Sequence, residues 1–395
     1  MSRADHWLLP DGMDEVLPPR ARQIENLRRK LLDLFHSWGY ELVLPPKVEF
    51  LESLLTGAGH DLELQTFKVT DQLSGRMMGV SADVTPQVAR MDAHSMQFDG
   101  VARFCYSAEI VRTQPDNLLG SRSPIQIGAE LFGDGGADSD LEILSLMTDS
   151  LLLAGAENLC LDLGHVGIYR ALIVEAGLPD ETEAALFDIL QHKRLAELQP
   201  LLAPWQEQQP VQMLLRLSGL NGGPEVLASA REQLQGAPAA VTDALQELQE
   251  LVEALQQQYP QVNLYLDLSE LRGYHYHTGL VFAAYVPGLG QALAKGGRYD
   301  DIGRVFGRAR PATGFSTDLK MLASLQGNLQ ARTPVAAPAA ILRDTKGRAL
   351  VTQLREAGER VVFIPRNSCS SAVDGGKSIQ QLADGSWQLM AADKI

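Results

Sequence analysis

The sequence has few cysteines and no long apolar run. Its three cysteines, Cys105, Cys160 and Cys369, are odd in number, far apart and without the spacing of metal ligands, which fits reduced thiols. No segment approaches the ~18 uninterrupted apolar residues of a membrane span. The first residues contain no apolar signal core. These absences predict a cytoplasmic protein.

Positive charge is also scarce. The chain has 34 lysines and arginines against 49 aspartates and glutamates, a net charge of -15. Because binding to phosphates requires a basic surface, this composition argues weakly against a dedicated nucleic-acid-binding protein, although an acidic protein can still have a local basic patch. Apolar residues, by contrast, make up 45% of the 395 residues, enough for two or three domains with a real core.

Hydrophobic periodicity predicts helices and short strands in the first half of the chain. Residues 18–37 have the spacing of an amphipathic helix, and residues 40–44 are predicted to form a strand that ends at two prolines. A second strong helix is predicted at 138–154. The other predicted strands are 66–69, 76–81, 101–111, 122–132 and 159–163.

The second half of the chain has a different composition. Residues from about 179 to 260 are rich in Leu, Gln and Glu and predict an inserted helical subdomain, followed by strand-like sequence to 284 and a helix at 314–325. Residues 333–338, rich in Pro and Ala, predict a linker. Beyond it we expect a β-α-β tail with strands at 339–343 and 361–364.

The most informative segment is the predicted strand at 122–132. The apolar residues at odd positions from 125 to 131 fall on one face, and Gln126, Gly128 and Glu130 fall on the other. A buried carboxylate is costly unless it has a partner, and Gly128 leaves open volume above the strand. The segment therefore predicts the floor of a site for a small polar ligand. The alternative is an edge strand with one face in water.

Several segments, in order, resemble histidyl-tRNA synthetase. Residues 9–18 resemble that family's opening, and 18–46 its class II motif 1, which forms the dimer interface. Residues 271–282 resemble its histidine-recognition segment, and 295–300 the glycine-rich element that follows. The resemblance covers residues 9 to about 325. It implies an α+β fold with a class II synthetase-like antiparallel sheet flanked by helices in a domain at 1–330, and leaves 334–395 as a short α/β tail.

The resemblance also implies a pocket for histidine. Asp83, which replaces the family's Glu, and Thr85 share strand parity and would accept from the ligand's ammonium group. Gln126 and Arg272 are candidates for its carboxylate, and Glu130 would accept from an imidazole N–H. Each of these residues, taken alone, is compatible with an ordinary structural role.

Aromatic residues would complete this pocket. Tyr106, Tyr276 and Tyr299 are expected to form its walls and provide hydroxyl partners. His277 stands where the family has a second tyrosine, and its charge would then depend on pH near neutrality. His275 and His277 also have the spacing of a metal pair, but no third ligand is visible, so we expect no metal.

The family's ATP-binding motifs are altered. Arg112 keeps the motif 2 cation, while the carboxylate two residues later is replaced by Gln114. In motif 3, Met321 stands where the family has the arginine that clamps the γ-phosphate, and Asp318 replaces a glycine. Lys320 is about 100° around the helix from that position. Loss of such a cation costs ~10²–10³ in rate, so adenylate formation is expected to be disabled. Arg112 would then line the histidine pocket or serve a salt bridge.

One branch of the family fits this combination: the regulatory subunits of ATP phosphoribosyltransferases. Residues 7–13, 85–90 and 122–126 resemble that branch. The resemblance implies no catalytic activity alone, no cofactor, and assembly with a short catalytic subunit into a hetero-octamer that histidine inhibits. It also implies self-dimerisation through the motif 1 region. The tail of about sixty residues is shorter than the family's anticodon-binding domain of about a hundred, so no tRNA partner is expected.

Other interpretations of particular segments stay open from the sequence. The glycine-rich stretch 133–136 is either a phosphate loop or a plain turn before a helix, and its spacing favours the turn. Residues 295–298 are compatible with phosphate binding or with a tight turn within the sheet. For function, the alternatives are a working histidyl-tRNA synthetase and an enzyme that activates an amino acid for a non-tRNA acceptor.

Overall fold

A computed structural model of the chain describes residues 7–56, 60–115, 120–327, 333–365 and 376–391. The chain divides into two compact units, Met1–Gly327 and Asn328–Ile395. Among the described residues, no helix combines the length and apolarity needed to cross a membrane. Cys369 lies outside the described residues.

The helices in these ranges include the two predicted in the first half of the chain, at 18–37 and 138–154, together with shorter ones that were not predicted there. They are, in order, α1 Arg20–Ser37, α2 Leu51–Leu55, α3 His60–Gln65, α4 Thr85–Arg90, α5 Ala137–Leu153, α6 Val166–Ala176, α7 Asp180–Gln191, α8 Leu198–Leu202, α9 Gln209–Leu217, α10 Val226–Gln233, α11 Ala239–Gln258, α12 Leu319–Leu325 and α13 Thr345–Glu356. A π-helical segment, Met91–Met96, continues α4.

The strands are short and numerous. They are β1 Glu41–Leu42, β2 Val48–Phe50, β3 Lys68–Thr70, β4 Met77–Val80, β5 Ala102–Glu109, β6 Ile125–Phe132, β7 Cys160–His165, β8 Asn221–Gly222, β9 Asn263–Asp267, β10 Leu280–Tyr285, β11 Ala294–Arg298, β12 Ala312–Asp318, β13 Val335–Pro338, β14 Val361–Ile364, β15 Ser378–Gln381 and β16 Trp387–Met390.

The main sheet of the first unit is mostly antiparallel. Among the described strands its order is β1-β5-β6-β12-β11-β10-β7-β9-β8, with β2-β4-β3 forming a separate small sheet. Strand β6 pairs with β5 on one side and with β12 on the other. The predicted antiparallel sheet is confirmed, and the interpretation of 122–132 as an edge strand is wrong.

Amphipathic helices cover one face of the sheet. On α1 the apolar residues Ile24, Leu27, Leu31 and Phe35 recur at helical spacing and are all buried, each stabilising the fold by roughly 1.5–3 kcal/mol. Gly39, at φ +83, adopts the left-handed conformation that follows the helix end. The buried residues of the helical block α7 to α11 belong to the same apolar cluster as those of the sheet.

Several local predictions were wrong. Residues 314–318 belong to strand β12 rather than to a helix, which begins at Leu319. Residues 295–298 belong to β11, so the predicted tight turn is wrong. Residues 133–136, as predicted, form a turn, with the Gly136 N–H donating to Asp134 Oδ1 at 3.3 Å just before α5.

The second unit is a small α/β layer. Its strands follow the order β14-β13-β15-β16, and α13 contributes buried Val351 to a core with Val335 and Ile341. The predicted linker at 333–338 is wrong, because Val335 is buried and residues 335–338 form β13, which pairs in parallel with β14. The predicted strand at 339–343 is a 3₁₀ turn. The prediction was wrong because the presence of proline and alanine does not indicate whether a segment is buried.

Candidate functional site

Strand β6 supplies the floor of the candidate site. Gln126 and Glu130 are both buried on the face predicted for them. Gly314 of β12 lies directly opposite Glu130, and a methyl group added there would overlap Glu130 Oε2. The expectation of open space above Gly128 is wrong, since the Tyr106 hydroxyl would lie 2.7 Å from a Cβ at that position.

Glu130 is the centre of a hydroxyl-lined group that we call the Glu130 cluster: Glu130, Thr85, Tyr106, Tyr276 and Tyr299. Glu130 Oε1 accepts from Thr85 Oγ1 at 2.8 Å and from the Tyr106 hydroxyl at 3.1 Å. Oε2 accepts from the Tyr299 hydroxyl. Burial raises the pKa of Glu130 to about 8, because the ionised form loses water and the three hydroxyl donors only partly replace it.

Asp83 and Thr85 approach strand β6 from the start of helix α4 rather than from a strand. Thr85 is the first residue of α4, so the predicted strand parity is wrong. The Thr85 N–H donates to Asp83 Oδ1 at 3.1 Å, and Gln126 Nε2 donates to the same oxygen at 2.8 Å. Gln126 Oε1 accepts from the Val84 N–H at 2.9 Å. The Gln126 amide therefore holds the turn that presents Asp83.

Two stacked tyrosines close the cluster. The rings of Tyr276 and Tyr299 lie 5.1 Å apart and nearly parallel. The Tyr276 hydroxyl is buried and has no hydrogen-bond partner among the described residues. A buried hydroxyl without a partner is energetically costly.

His277 lies against Tyr276, with ring centroids 5.1 Å apart. Its Nδ1 lies 3.2 Å from the Arg298 carbonyl oxygen, which can only accept, so this nitrogen carries the hydrogen. Burial lowers the pKa of His277 to about 4. The expectation that its charge changes near neutral pH is therefore wrong, because the ring is neutral there.

His275 lies against two aromatic side chains. Its ring packs against Phe187 at 5.1 Å and Tyr274 at 5.5 Å. In the part of the chain that the structure describes, no three His, Cys, Asp or Glu side chains are grouped to hold a metal ion.

A cavity of about 400 Å³ opens beside the cluster, and we call it the outer cavity. Gln126 forms part of its wall, together with the cationic side chains Arg112, Arg272 and Lys295. Arg112 Nε donates to the Ala82 carbonyl at 3.1 Å. Arg272 forms ion pairs with Glu270 at 2.9 Å and with Asp162 at 3.5 Å. The cavity is large enough for a small ligand.

Helix α12 presents Met321 to the outer cavity, and the Met321 sulfur accepts from Gln291 Nε2 at 3.0 Å. Lys320 points elsewhere, as predicted, since its Nζ donates to Asp14 Oδ1 at 3.0 Å. Asp318 Oδ1 accepts from the Lys320 and Ile125 N–H groups at 2.9 and 3.1 Å. This carboxylate therefore caps α12 and ties it to β6, a structural role that the sequence analysis did not predict.

All ten predicted site residues border the Glu130 cluster or the outer cavity. The prediction missed Lys295, Tyr285 and Gln291, which also line the cavity. Lys295 could have been found, because it occupies a polar position in a segment already recognised as part of the site. Arg298, in the same segment, instead anchors β11 to α5 by an ion pair with Asp140 at 3.0 Å.

Comparisons with known proteins agree with this architecture. The histidyl-tRNA synthetase family model matches residues 12–322. The ATP phosphoribosyltransferase regulatory subunit of Thioalkalivibrio sulfidiphilus is 56% identical over 363 residues, which cover 92% of each chain. That of Pseudomonas paraeruginosa is 54% identical over 396 residues, covering 98% of this chain and 99% of the relative.

A solved structure also resembles the whole chain. It is described as an ATP phosphoribosyltransferase regulatory subunit/histidyl-tRNA synthetase from Bacillus halodurans C, with a TM-score of 0.82, 27% identity, and coverage of 94% of this chain and 96% of that one. The class II synthetase-like α+β fold is thereby confirmed. With relatives of this identity over nearly its full length, the chain belongs to the family of ATP phosphoribosyltransferase regulatory subunits.

Proposed function

We propose that this chain, as the regulatory subunit of an ATP phosphoribosyltransferase, activates a short catalytic subunit and confers inhibition by free L-histidine bound at the Glu130 cluster. One observation carries the proposal. Glu130 is fully buried in a cluster with a tyrosine hydroxyl that has no partner among the described residues, and Gln126, on the same face of β6, lines a cavity with cationic walls. Imidazole, ammonium and carboxylate groups each find a complementary partner in such a site.

The ligand's groups are assigned to separate parts of the site. Its imidazole would bind Glu130, and its ammonium group would bind Asp83, which Gln126 orients. Its carboxylate would lie in the outer cavity near Arg272 and Arg112. The complete proposed histidine-binding set is Asp83, Thr85, Tyr106, Arg112, Gln126, Glu130, Arg272, Tyr276, His277 and Tyr299.

The cluster has to open partly to admit the ring. In the unliganded arrangement, the Tyr299, Tyr106 and Thr85 hydroxyls occupy both Glu130 oxygens. A ring N–H that donates to Glu130 would take the place of one of them, and the displaced hydroxyl would turn toward the ligand. The side chains of Asp83 and Thr85 remain partly exposed, which gives the ligand a route from the cavity.

The proposal includes the absence of synthetase chemistry. Met321 lies at the place where the family's arginine would hold a terminal phosphate, and Lys320 is committed to Asp14. A thioether does not stabilise phosphate charge. Neither adenylate formation nor tRNA charging is expected, and no cofactor is required.

We further infer that two copies associate through the region of β1. Leu42 and Leu44, at the sheet edge, have exposed fractions of 49% and 76%, and edge strands with exposed apolar side chains favour pairing. A hetero-octamer of such dimers with the catalytic subunit, in the cytoplasm, completes the proposed assembly.

Calorimetry with L-histidine tests the proposed site. Wild type, Glu130→Ala and a control Glu52→Ala are compared, alone and with the short catalytic subunit. Glu52 is a surface residue with a side-chain exposure of 87%. Loss of a buried charged partner is worth ~1.5–3 kcal/mol, so we expect Glu130→Ala to bind at least about tenfold more weakly. Equal affinity in Glu130→Ala, or measurable formation of histidyl-tRNA by the wild type, would contradict the proposal.

A further inference from the structure

The hydrogen bonds around Glu130 have an unusual composition. Its three donors among the described residues, Thr85, Tyr106 and Tyr299, are hydroxyl groups, and none of them carries a charge. The carboxyl group is 1% exposed. A buried carboxylate is ordinarily held by a cation, because hydroxyl groups alone do not replace the water that it loses.

The other titratable groups near Glu130 do not neutralise it. Asp83 precedes α4, Tyr106 is on β5, Tyr299 follows β11, and Tyr276 lies in the turn before β10. Of these, Asp83 adds negative charge, and its effect together with burial raises the pKa of Glu130. Burial, and after it the Glu130 charge, raises the pKa of each of the three tyrosines. Strand β12 contributes only Gly314 opposite the carboxyl group. An ionised Glu130 would thus leave the cluster with uncompensated negative charge.

We propose that the complex with histidine holds one proton between the Glu130 carboxyl group and the ligand's imidazole, so that the bound pair is electrically neutral. This inference rests on the proposed function. The proton either stays on a Glu130 oxygen and is donated to a ring nitrogen, or it moves to the ring and leaves a carboxylate–imidazolium pair. Both arrangements contain the same single proton and the same net charge.

The proton content makes binding depend on pH in a characteristic way. The free imidazole titrates near ~6.5, and the unliganded Glu130 has a pKa of about 8. Between these pH values Glu130 is already protonated before binding and the free imidazole is neutral, so binding exchanges no proton with solvent. Above the window one proton is taken up, and below it one is released. Affinity is therefore highest inside the window and falls about tenfold per pH unit on either side.

Glu130 with an ordinary pKa would behave differently. A carboxyl group that titrates at its usual value of 4.5 would place the window between that value and ~6.5. Histidine would then bind most tightly in mildly acidic solution, and affinity would already decline above neutrality. The all-hydroxyl environment of Glu130 thus matches the sensor to neutral pH.

Isothermal titration of L-histidine into the complex of this chain with the short catalytic subunit tests the inference. Titrations at about pH 6.0, 7.2 and 8.5, each in two buffers of different ionisation enthalpy, give the number of protons exchanged. The same series with Glu130→Gln removes the titrating group, while the ligand's own amino group titrates equally in both proteins. The surface variant Glu52→Gln is the matched control and is expected to follow the wild type.

The expected result is most of one proton more taken up by wild type than by Glu130→Gln at the highest pH, with affinity greatest near pH 7. The inference would be overturned if the wild-type affinity only rose or only fell across this pH range. This observation needs no variant. The inference would also be overturned if Glu130→Gln bound histidine more weakly than wild type but exchanged the same number of protons. In that case the proposed histidine site would still stand. Equal affinity in both proteins, or no binding to wild type, would instead overturn the proposed histidine site together with the inference.

Discussion

The Glu130 cluster and the outer cavity are neighbours that share the strand β6, but they differ in charge and in open space. In the cluster, both oxygens of Glu130 have donors within the protein. In the cavity, three cationic side chains surround about 400 Å³ of space and Met321 occupies one wall. The Glu130 cluster is packed around one carboxyl group, whereas the outer cavity has open space and has no cationic side chain at Met321 of α12.

The proposed function assigns different roles to these two regions of a synthetase-like site. Recognition of a side chain requires preorganised partners at fixed positions, and the cluster provides them. Activation of ATP requires cations placed where charge develops, and α12 no longer provides one. The same fold can therefore keep amino-acid recognition while losing the activation chemistry.

The largest expected effect is on the packing of the cluster. In Gly314→Ala the new methyl group would overlap Glu130 Oε2 and lie 2.8 Å from the Ala129 carbonyl oxygen. We expect the free energy of unfolding, measured by urea denaturation, to fall by about 3–5 kcal/mol. The control Gly290→Ala, where the added methyl meets nothing within 4 Å, should stay within about 0.5 kcal/mol of wild type. Equal stability of the two variants would mean that the cluster is loosely packed.

A smaller effect is expected from the charge of Glu130. Its folded-state pKa of about 8 exceeds the ordinary 4.5, so folding favours the protonated form and wild-type stability declines as pH rises between these values. Glu130→Gln lacks this decline. Its stability relative to wild type should therefore increase by about 2–4 kcal/mol between those two pH values, measured by urea denaturation without ligand. Parallel pH profiles for wild type and Glu130→Gln would show that the burial of Glu130 carries no cost.

His277 should have the opposite pH dependence. Its pKa is lowered from 6.5 to about 4 by burial, so the folded state disfavours the charged ring and wild-type stability is lost as pH falls through this interval. We expect a loss of about 2–3 kcal/mol that is absent in His277→Gln, again by urea denaturation. The same substitution at His36, an exposed residue of α1, is the control. If His277→Gln kept the full acid-side loss, the ring would be accessible to water.

The smallest effect on histidine is expected from Met321→Arg. A guanidinium on this wall of the outer cavity should tighten ATP binding by about tenfold, the equivalent of one modest charged hydrogen bond. Histidine affinity should change by less than about threefold, because Arg112 and Arg272 already face the proposed position of the ligand's carboxylate and a further solvent-exposed cation adds little. Met321→Leu, which adds no charge, should leave both affinities unchanged. A large loss of histidine affinity in Met321→Arg would show that the two regions are coupled. Equilibrium binding of each ligand measures both quantities.

The sequence predicted the buried β6 strand, and it grouped candidate residues that the fold brings close together, because alternation and ordered motifs report directly on such positions. It did not predict how Asp83 and Thr85 are presented. The short segment between β4 and α4 is compatible with either strand or helix start, and tertiary hydrogen bonds from Gln126 decide between them. The neutral state of His277 was missed for a similar reason, since burial and the Arg298 carbonyl contact come from a distant strand.

Long-range pairing also explains the other corrections. Residues 314–318 resemble a helix locally, but their backbone is held by β6 and β11 on either side. Residues 335–338 are compositionally typical of a linker, yet they are held between β14 and β15. In both cases hydrogen bonds to strands far away in sequence override the local preference.

The most direct test of the central claim is histidine inhibition of ATP phosphoribosyltransferase activity in the assembled complex. Complexes containing wild type, Glu130→Ala or Glu52→Ala are each measured relative to their own rate without histidine. We predict that the Glu130→Ala complex needs at least about tenfold more histidine for half inhibition, and that the Glu52→Ala complex matches the wild type. Half inhibition of the Glu130→Ala complex at the wild-type histidine concentration would contradict the assignment of this cluster as the histidine sensor.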